Sequence, residues 1–320
     1  MGIGKRITNT DHTEPSKPEV QKTFTSPQFI NTAPRFMLDD LILSEQTNSS
    51  LLDFIAFKAH HDMIFSTWGL EETHKHDRQT SVNFYGPPGT GKTAAAHAVA
   101  SSLDKEITLV NYADIESKYV GETSKNVTSL FEHANRTGSI IFFDEADAIL
   151  SRRVANISSS TDVSVNQTRS VLLTLLDQHD GTVIFASNFL RNYDPAFMRR
   201  ITSHIFFDLP EFISRKKLWR KFIPSKMPTD VDFDVLASES DGLSGAEISN
   251  CVIKSAVSVA RRGKALVSMD DFRLAVRDVI RSKYANERPD DGMFVTEMRS
   301  VTEDYVAEAK GKRFVKEAKQ

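Results

Sequence analysis

Eight residues, Gly86-Pro87-Pro88-Gly89-Thr90-Gly91-Lys92-Thr93, have the types and spacing to hold a chain of phosphates. Glycines let a backbone turn tightly enough to aim several N–H groups at one point. The positive end of a following helix adds to the field there, so phosphate needs no dedicated side chain. Lys92 is placed to reach the β- and γ-phosphates, and the Thr93 hydroxyl to ligate Mg²⁺. A glycine-rich turn can precede a lysine by accident, but the flanks argue otherwise. Ser81 to Tyr85 reads as a short apolar strand and Ala94 to Ala100 as a helix, which completes the strand–G-x-x-x-x-G-K-T–helix order of a P-loop. The expectation is a nucleoside triphosphate site.

A second group of residues supplies the rest of such a site. The apolar run Ser139 to Phe143 closes on Asp144-Glu145-Ala146-Asp147. A run of this kind suits a central parallel strand buried on both faces, and carboxylates at its C-terminal end lie where open α/β sheets bind ligands. Asp144 fits a Mg²⁺ ligand, direct or through water. Glu145 can polarise an attacking water as general base. Two carboxylates can also simply cap a helix; the P-loop upstream favours chemistry. Asn188, after the strand Thr182 to Ala186, can hold the water or the γ-phosphate, although an Asn at a strand end is more often a turn residue. Arg199-Arg200, adjacent and without an obvious local carboxylate partner, read as guanidiniums meant for a phosphate on another subunit; the bland alternative is a solvated pair.

These groups need an alternating framework. Strands are expected at 81–85, 106–110, 139–143, 182–186 and 204–207, with helices between them at 94–100 and 124–134 and around Leu172 to Leu176. Asp194-Pro195 opens a short helix that closes on the arginines. Before the P-loop, a helix is expected from Ser50 to Thr67 and a polar loop from Glu71 to Thr80. Residues 151–166 read as an exposed loop. After Leu209-Pro210 only helical patterns follow, notably Ser244 to Arg262 and Asp270 to Arg281. The fold class is therefore α/β, a parallel sheet sandwiched by helices and followed by a small all-α domain. Residues 1–35, rich in Thr, Ser, Pro, Asn and Lys, read as a disordered arm, 36–210 as the α/β domain, 211–282 as the helical domain, and 283–320 as a C-terminal helix (Phe294, Met298, Val301, Tyr305, Val306) with a polar tail.

At 320 residues, 40% hydrophobic and a net charge of −3, the chain can build two cores and has no global field for nucleic acid or anionic membrane. The single cysteine, Cys251, fits a reducing compartment and sits in a helical pattern, where a packed thiol is the default. His60-His61 and His74-x-His76 lack a second cluster at metal-site spacing. The N-terminus has no apolar h-region, and no stretch reaches the length of a membrane span. A soluble, cytoplasmic protein is expected.

Read together and in order, GPPGTGKT, KYVGET at 118–123, FFDEAD, ASN at 186–188, DPAFMRRI at 194–201 and GLSGAEI at 242–248 resemble the AAA family of ATPases. The likeness spans about residues 36–282. The segment from DPAFMRRI to HIFFDLP is most similar to katanin, spastin and the ESCRT-disassembly ATPases, which also run two arginines into the last strand. The resemblance implies the P-loop NTPase fold with a helical lid, ATP and Mg²⁺ as ligands, and a ring, usually a hexamer, with each site at a subunit boundary. It implies that Lys92, Thr93, Asp144 and Glu145 act in cis, with Asn188 as sensor and Arg199 and Arg200 as fingers into the neighbour's ATP. Gly245-Ala246 would pack near adenine. Lys118-Tyr119-Val120-Gly121 would form the pore loop that grips an extended polypeptide; read alone, one loop tyrosine is more often packing. The usual R-P-G-R-F-D-R continuation is missing, as are an HExxH protease motif and a recognisable recruitment domain.

Three functions are consistent with this pattern. The leading one is an ATP-driven remodeller of a protein client. A second is a nucleic-acid loader, disfavoured by the net charge and by the lack of a Ser-Arg-Cys motif or appended DNA-binding module. A third is an ATP-gated regulator of a separately encoded peptidase or nuclease. The letters DEAD also occur in RNA helicases, whose Ser-Ala-Thr triplet and second RecA-like domain are missing.

Overall fold

A computed structural model describes residues 29–74, 80–111, 115, 122–151, 160–188 and 193–287. Six strands form one sheet: β1 (Asn31–Thr32), β2 (Thr80–Tyr85), β3 (Ile107–Asn111), β4 (Ile140–Asp144), β5 (Thr182–Ser187) and β6 (Ser203–Phe206). Their spatial order is β1-β3-β4-β5-β2-β6. All neighbours are parallel except β1, which runs antiparallel to β3 along one edge.

The continuous apolar runs of β4 and β5 are explained by burial on both faces. Alternate side chains enter two different cores. Ile141, Phe143, Val183 and Phe185 meet Val127, Leu130 and Phe131 of α3 (Glu122–Thr137) and Leu172, Leu173 and Leu176 of α5 (Ser160–Gln178). Ile140, Phe142, Ile184 and Ala186 meet the other layer, Leu51 and Phe54 of α1 (Glu45–Ala59) with Ala95, Ala96, Val99 and Ala100 of α2 (Lys92–Ser102). Ala95, Ala96, Ala98 and Ala100 of α2 are fully buried; their small size lets the helix that leaves the phosphate loop lie close on the sheet. Phe143 and Phe185 stack across β4 and β5 with centroids 5.2 Å apart. Truncating such a buried ring costs about 3–5 kcal/mol.

Two short helices, α4 (Asp147–Leu150) and α6 (Pro195–Met198), sit beside the sheet. Among the described residues from Phe212 onward helices alone follow: α7 (Phe212–Phe222), α8 (Phe233–Glu239), α9 (Gly245–Arg261) and α10 (Met269–Glu287). They close on a core of Trp219, Leu236, Leu243, Ile248, Val259 and Phe272. Trp219 stands edge-on to Phe272 and donates its indole N–H to Ser240 Oγ at 3.0 Å. The buried Arg215 ties this helical unit to its connecting segment. It donates to Pro210 O and to Ala237 O, both at 2.8 Å, and pairs with Asp241. With its guanidinium so satisfied, burial of the charge is tolerable.

Three expectations change. The end of the presumed arm, from residue 29, is ordered. Its residue Asn31 is held by polar pairs, donating to Glu106 at 3.1 Å and accepting from Thr108 at 2.8 Å, so few apolar side chains were needed. The helix expected from Ser50 begins at Glu45, capped by Ser44 Oγ accepting from Thr47 N, and ends at Ala59, a wider π-turn following from Met63 to Thr67. Residues 160–166, expected in a loop, already belong to α5. The helix expected over Phe294 to Val306 lies outside the described residues, as do residues 152–159 and the rest of the arm.

Candidate functional site

The strand order does the positioning. β5 lies between β4 and β2, so the C-terminal ends of three adjacent strands bring together Asp144, Asn188 and the P-loop. Gly86 leaves β2 at φ +142°, and a Cβ there would sit 2.1 Å from Phe207 O. Gly89 has φ +76°, and a Cβ would meet Ser244 Oγ at 2.7 Å and Ala246 Cβ at 2.8 Å. Neither position accepts a side chain. Thr90 Oγ1 donates to Pro87 O at 2.9 Å and closes the loop on itself.

Lys92 is the first residue of α2 and is buried. Its ammonium donates to Gly86 O at 2.7 Å, Pro87 O at 3.0 Å and Asn188 Oδ1 at 3.2 Å. Burial lowers its pKa, while Asp144 and Asp147 act in the opposite direction. The lysine is thus a desolvated cation held ready by carbonyls. Thr93 Oγ1 donates to Asp144 Oδ2 at 3.2 Å.

Glu145 is exposed and adopts φ +52°. A non-glycine residue there costs about 1–2 kcal/mol. Two contacts enforce the turn: Glu145 N donates to Asp144 Oδ1 at 3.0 Å, and Ala146 N to Ala186 O at 2.8 Å. The strained peptide turns the carboxylate away from the buried sheet. Asn188 is fixed from below, its backbone N–H donating to Asp147 Oδ2 at 2.9 Å.

The helical unit closes the site. Ser244 and Glu247 form a reciprocal capping box at the start of α9, and Ala246 N donates to Gly89 O at 3.1 Å. A cavity of about 560 Å³ opens here. Gly89–Thr93, Asp144, Glu145 and Asn188 line its polar end, while Leu41, Ile42, Leu218, Phe222 and Ala246 line its apolar end. An apolar cavity with a few convergent polar groups is the usual form of a small-ligand site. Sequence reasoning had missed the strap at 40–44 and the cavity face of α7, because neither carries a motif. It had also missed the service of Asp147 to Asn188; the carboxylate was visible, its partner on another strand was not.

The two arginines separate. Arg200 O accepts from Ser81 Oγ at 2.5 Å, beside the start of β2. Five residues of strand, roughly 16 Å, therefore divide the pair from Gly86. Arg200 has a carboxylate partner, though not a local one: Nε and Nη2 donate to the two oxygens of Asp177 on α5 at 2.7 and 2.8 Å. Asp177 precedes it by 23 residues, so the pairing is invisible locally. Arg199 is exposed, and its side chain makes no hydrogen bond or ion pair among the described residues. Lys118, Tyr119 and Val120 lie outside the described residues.

The described residues contain no cluster of three or more His, Cys, Asp and Glu side chains able to hold a metal, and no helix long and apolar enough to cross a membrane. A Mg²⁺ ion does not need such a cage, since one carboxylate, one hydroxyl and phosphate oxygens suffice. Thr93 and Asp144, already in contact, would supply such a hard-oxygen pair.

Comparison with known proteins agrees with this geometry. Residues 82–209 match the model of the ATPase family associated with various cellular activities (AAA), and residues 230–274 match that of the AAA+ lid domain. The chain is 34% identical over 249 residues to a proteasome-activating nucleotidase of Sulfurisphaera tokodaii, covering 74% of this chain and 60% of the relative. It is 32% identical over 261 residues to that of Aeropyrum pernix, covering 78% and 61%. It is also 33% identical over 247 residues to a 26S proteasome regulatory subunit 8 homolog of Schizosaccharomyces pombe, covering 74% and 59%. The chain thus spans about three fifths of the length of these relatives. With a phosphate loop, a carboxylate-tipped strand, a polar strand end and a helical lid in this order and arrangement, the chain belongs to the AAA family of ATPases.

Proposed function

We propose that the chain forms a homo-oligomeric ring, a hexamer, in which ATP hydrolysis drives the remodelling of a protein client, and that each catalytic site is completed by a neighbouring copy. One observation carries the second part: the polar end of the cavity holds Lys92, Thr93, Asp144, Glu145 and Asn188, while the Arg199 side chain, next to the Arg200 that meets Ser81 at the start of β2, has no partner among the described residues. A guanidinium placed there cannot serve its own P-loop, but it can serve the next subunit.

The chain's own groups divide the work. The P-loop N–H groups and Lys92 hold the phosphates of ATP, and the lysine exchanges its carbonyl partners for phosphate oxygens. Asn188 releases Lys92 and holds the attacking water or the γ-phosphate. Glu145 takes the proton from that water as it attacks. Thr93 and Asp144 would hold Mg²⁺, which would supply charge neutralisation to the phosphates. Arg199 of the next copy stabilises the charge of the transition state, a contribution of ~10³ to 10⁵ in rate where such fingers occur. Gly245 and Ala246 close on the nucleotide from the lid, which lets the nucleotide state move the two domains against each other.

The family resemblance at Tyr119-Val120-Gly121 supports a threading pore. The names of the relatives, proteasome-activating nucleotidase and proteasome regulatory subunit, support a separately encoded peptidase as partner. We place the protein in the cytoplasm and read a nucleic-acid role as disfavoured. The test uses Glu145→Gln, which holds ATP without turning it over, with a photo-crosslinking residue at position 119. An unfolded protein segment crosslinked there establishes threading. Crosslinks to nucleic acid, or a folded enzyme bound with nothing at position 119, would replace threading by the loader or the gated regulator.

A further inference from the structure

The strap at 40–44 lies between two hollows. Leu41, Ile42 and Leu43 line the nucleotide cavity on one side. They also line a second cavity, of about 450 Å³, together with Asn48 and Leu52 of α1 and Lys217 of α7. The wall at the apolar end of the nucleotide site is thus a single segment of chain with space behind it. Close packing ordinarily holds a segment of this kind in place, and here part of that support is missing.

The strap is fastened to both domains instead. Side chains of an extended chain alternate in direction. Leu41 and Leu43 pack, with Leu38, against the core formed by the sheet, α1 and α2. Ile42, between them, packs against the helical core. Just ahead, Leu38–Asp40 form one 3₁₀ turn. Asp40 Oδ2 accepts from Met37 N at 2.9 Å, which fixes the carboxylate on its own turn. Lys221, in the last turn of α7, donates to the Asp40 carbonyl, and its ammonium lies 3.7 Å from Asp40 Oδ1. Both residues line the nucleotide cavity. The two side chains are 40% and 48% exposed. A contact so open to water adds little to stability, which suits a fastening that must open and reclose.

We propose that Lys221 is a positioning residue for the strap, and that its bond to the Asp40 carbonyl sets how fast nucleotide leaves. When that bond breaks, α7 and the strap part at the apolar end of the cavity. The polar end stays closed by Ala246 N donating to Gly89 O. The inference rests on ATP binding with its phosphates on the P-loop and its base toward Leu41 and Ile42. It needs neither the ring nor a protein client. Glu145 lies at the polar end, so the fastening governs the residence of ATP and ADP and leaves the hydrolytic step alone. Release of product sets the turnover of many enzymes with closing lids, and a weak strap-to-lid bond is a direct means of setting it.

The experiment compares the full chain with Lys221→Met and Lys221→Arg. Methionine keeps an unbranched apolar stem and removes the donor; arginine keeps a donor. Release of mant-ADP is followed on mixing with excess ADP, and a single turnover of ATP is measured with the chain in excess. Hydrogen exchange of the segment 36–44 is followed in the nucleotide-free chain. Lys221→Met is expected to release mant-ADP about fivefold faster, with the single-turnover rate and the urea midpoint unchanged. The amides of Asp40 and Leu41, which close the turn on Met37 O and Leu38 O, should exchange faster before any nucleotide is added. Arginine should bring both release and exchange back toward the parent. Unchanged release in Lys221→Met, or a slower single turnover, would overturn the inference. Faster release with unchanged exchange would mean that Lys221 touches the nucleotide itself, and would overturn its action through the strap. A lowered urea midpoint with unchanged release would assign the lysine to stability alone.

Discussion

His179 offers a quantitative test of how the core beneath the site is built. It follows α5 at the turn into β5, is 5% exposed, and has no hydrogen-bond partner on either ring nitrogen. Phe131 stands edge-on to it at 5.1 Å, and a Cβ on Gly181 would sit 2.3 Å from the ring. Burial lowers its pKa from 6.5 to about 4; Asp180 opposes this, while Lys58 and Lys105 add to it. The unfolded chain therefore binds the proton more tightly throughout that window, and stability must fall as pH drops from 6.5 toward 4. Between pH 7 and 4.5 the loss is about 2 kcal/mol, once the direct linkage is discounted for partial solvent access. His179→Leu removes both the titration and two orphaned nitrogens. It should stabilise the nucleotide-free chain by about 1 kcal/mol at pH 7, and by about 3 kcal/mol at pH 4.5. Urea unfolding followed by circular dichroism at the two pH values measures both. Carboxylates such as Asp271, held down to about 2 by Arg262, titrate equally in parent and variant and cancel. A pH dependence identical in the two proteins would refute the reasoning, as would a variant less stable at pH 7.

Arg199→Ala should leave the urea midpoint unchanged, since its side chain pairs with nothing described in its own chain, while ATP turnover falls by ~10³ or more. Arg200→Ala and Asp177→Asn should each cost no more than about 1 kcal/mol of stability, because the pair is partly exposed to water. A large stability loss in Arg199→Ala would contradict the trans assignment. Cys251, fully buried in the lid core with its thiol pushed up to about 12, should resist a disulfide reagent at pH 8 until urea unfolds the lid. Rapid labelling of the native chain would show that this core opens.

What the sequence disclosed followed from how local each device is. The P-loop, Asp144-Glu145 and the apolar run of β4 are short, contiguous and chemically distinctive, so the α/β class and the nucleotide site were readable before any geometry. Asn188 was readable only as a candidate, because its meaning comes from β5 lying between β4 and β2. The Arg200–Asp177 pair depends on how α5 and α6 pack, and adjacency in sequence gave no hint of it. The Ser-rich start of α5 hid a helix, since its apolar period begins only further along. Residues 29–35 looked too polar to fold, yet Asn31 bonds into the sheet edge through Glu106, Thr108 and His133.

The central claim is that two copies share each catalytic site, and mixing two inactive variants tests it directly. Glu145→Gln lacks the general base and Arg199→Ala lacks the finger, so each alone should be nearly inactive. Co-assembled at equal amounts, about one interface in four joins an intact Glu145 to an intact Arg199 across a head-to-tail contact. The account predicts that ATP turnover returns to a substantial fraction of the parent's. A mixture no more active than its two components, with co-assembly verified, would contradict it.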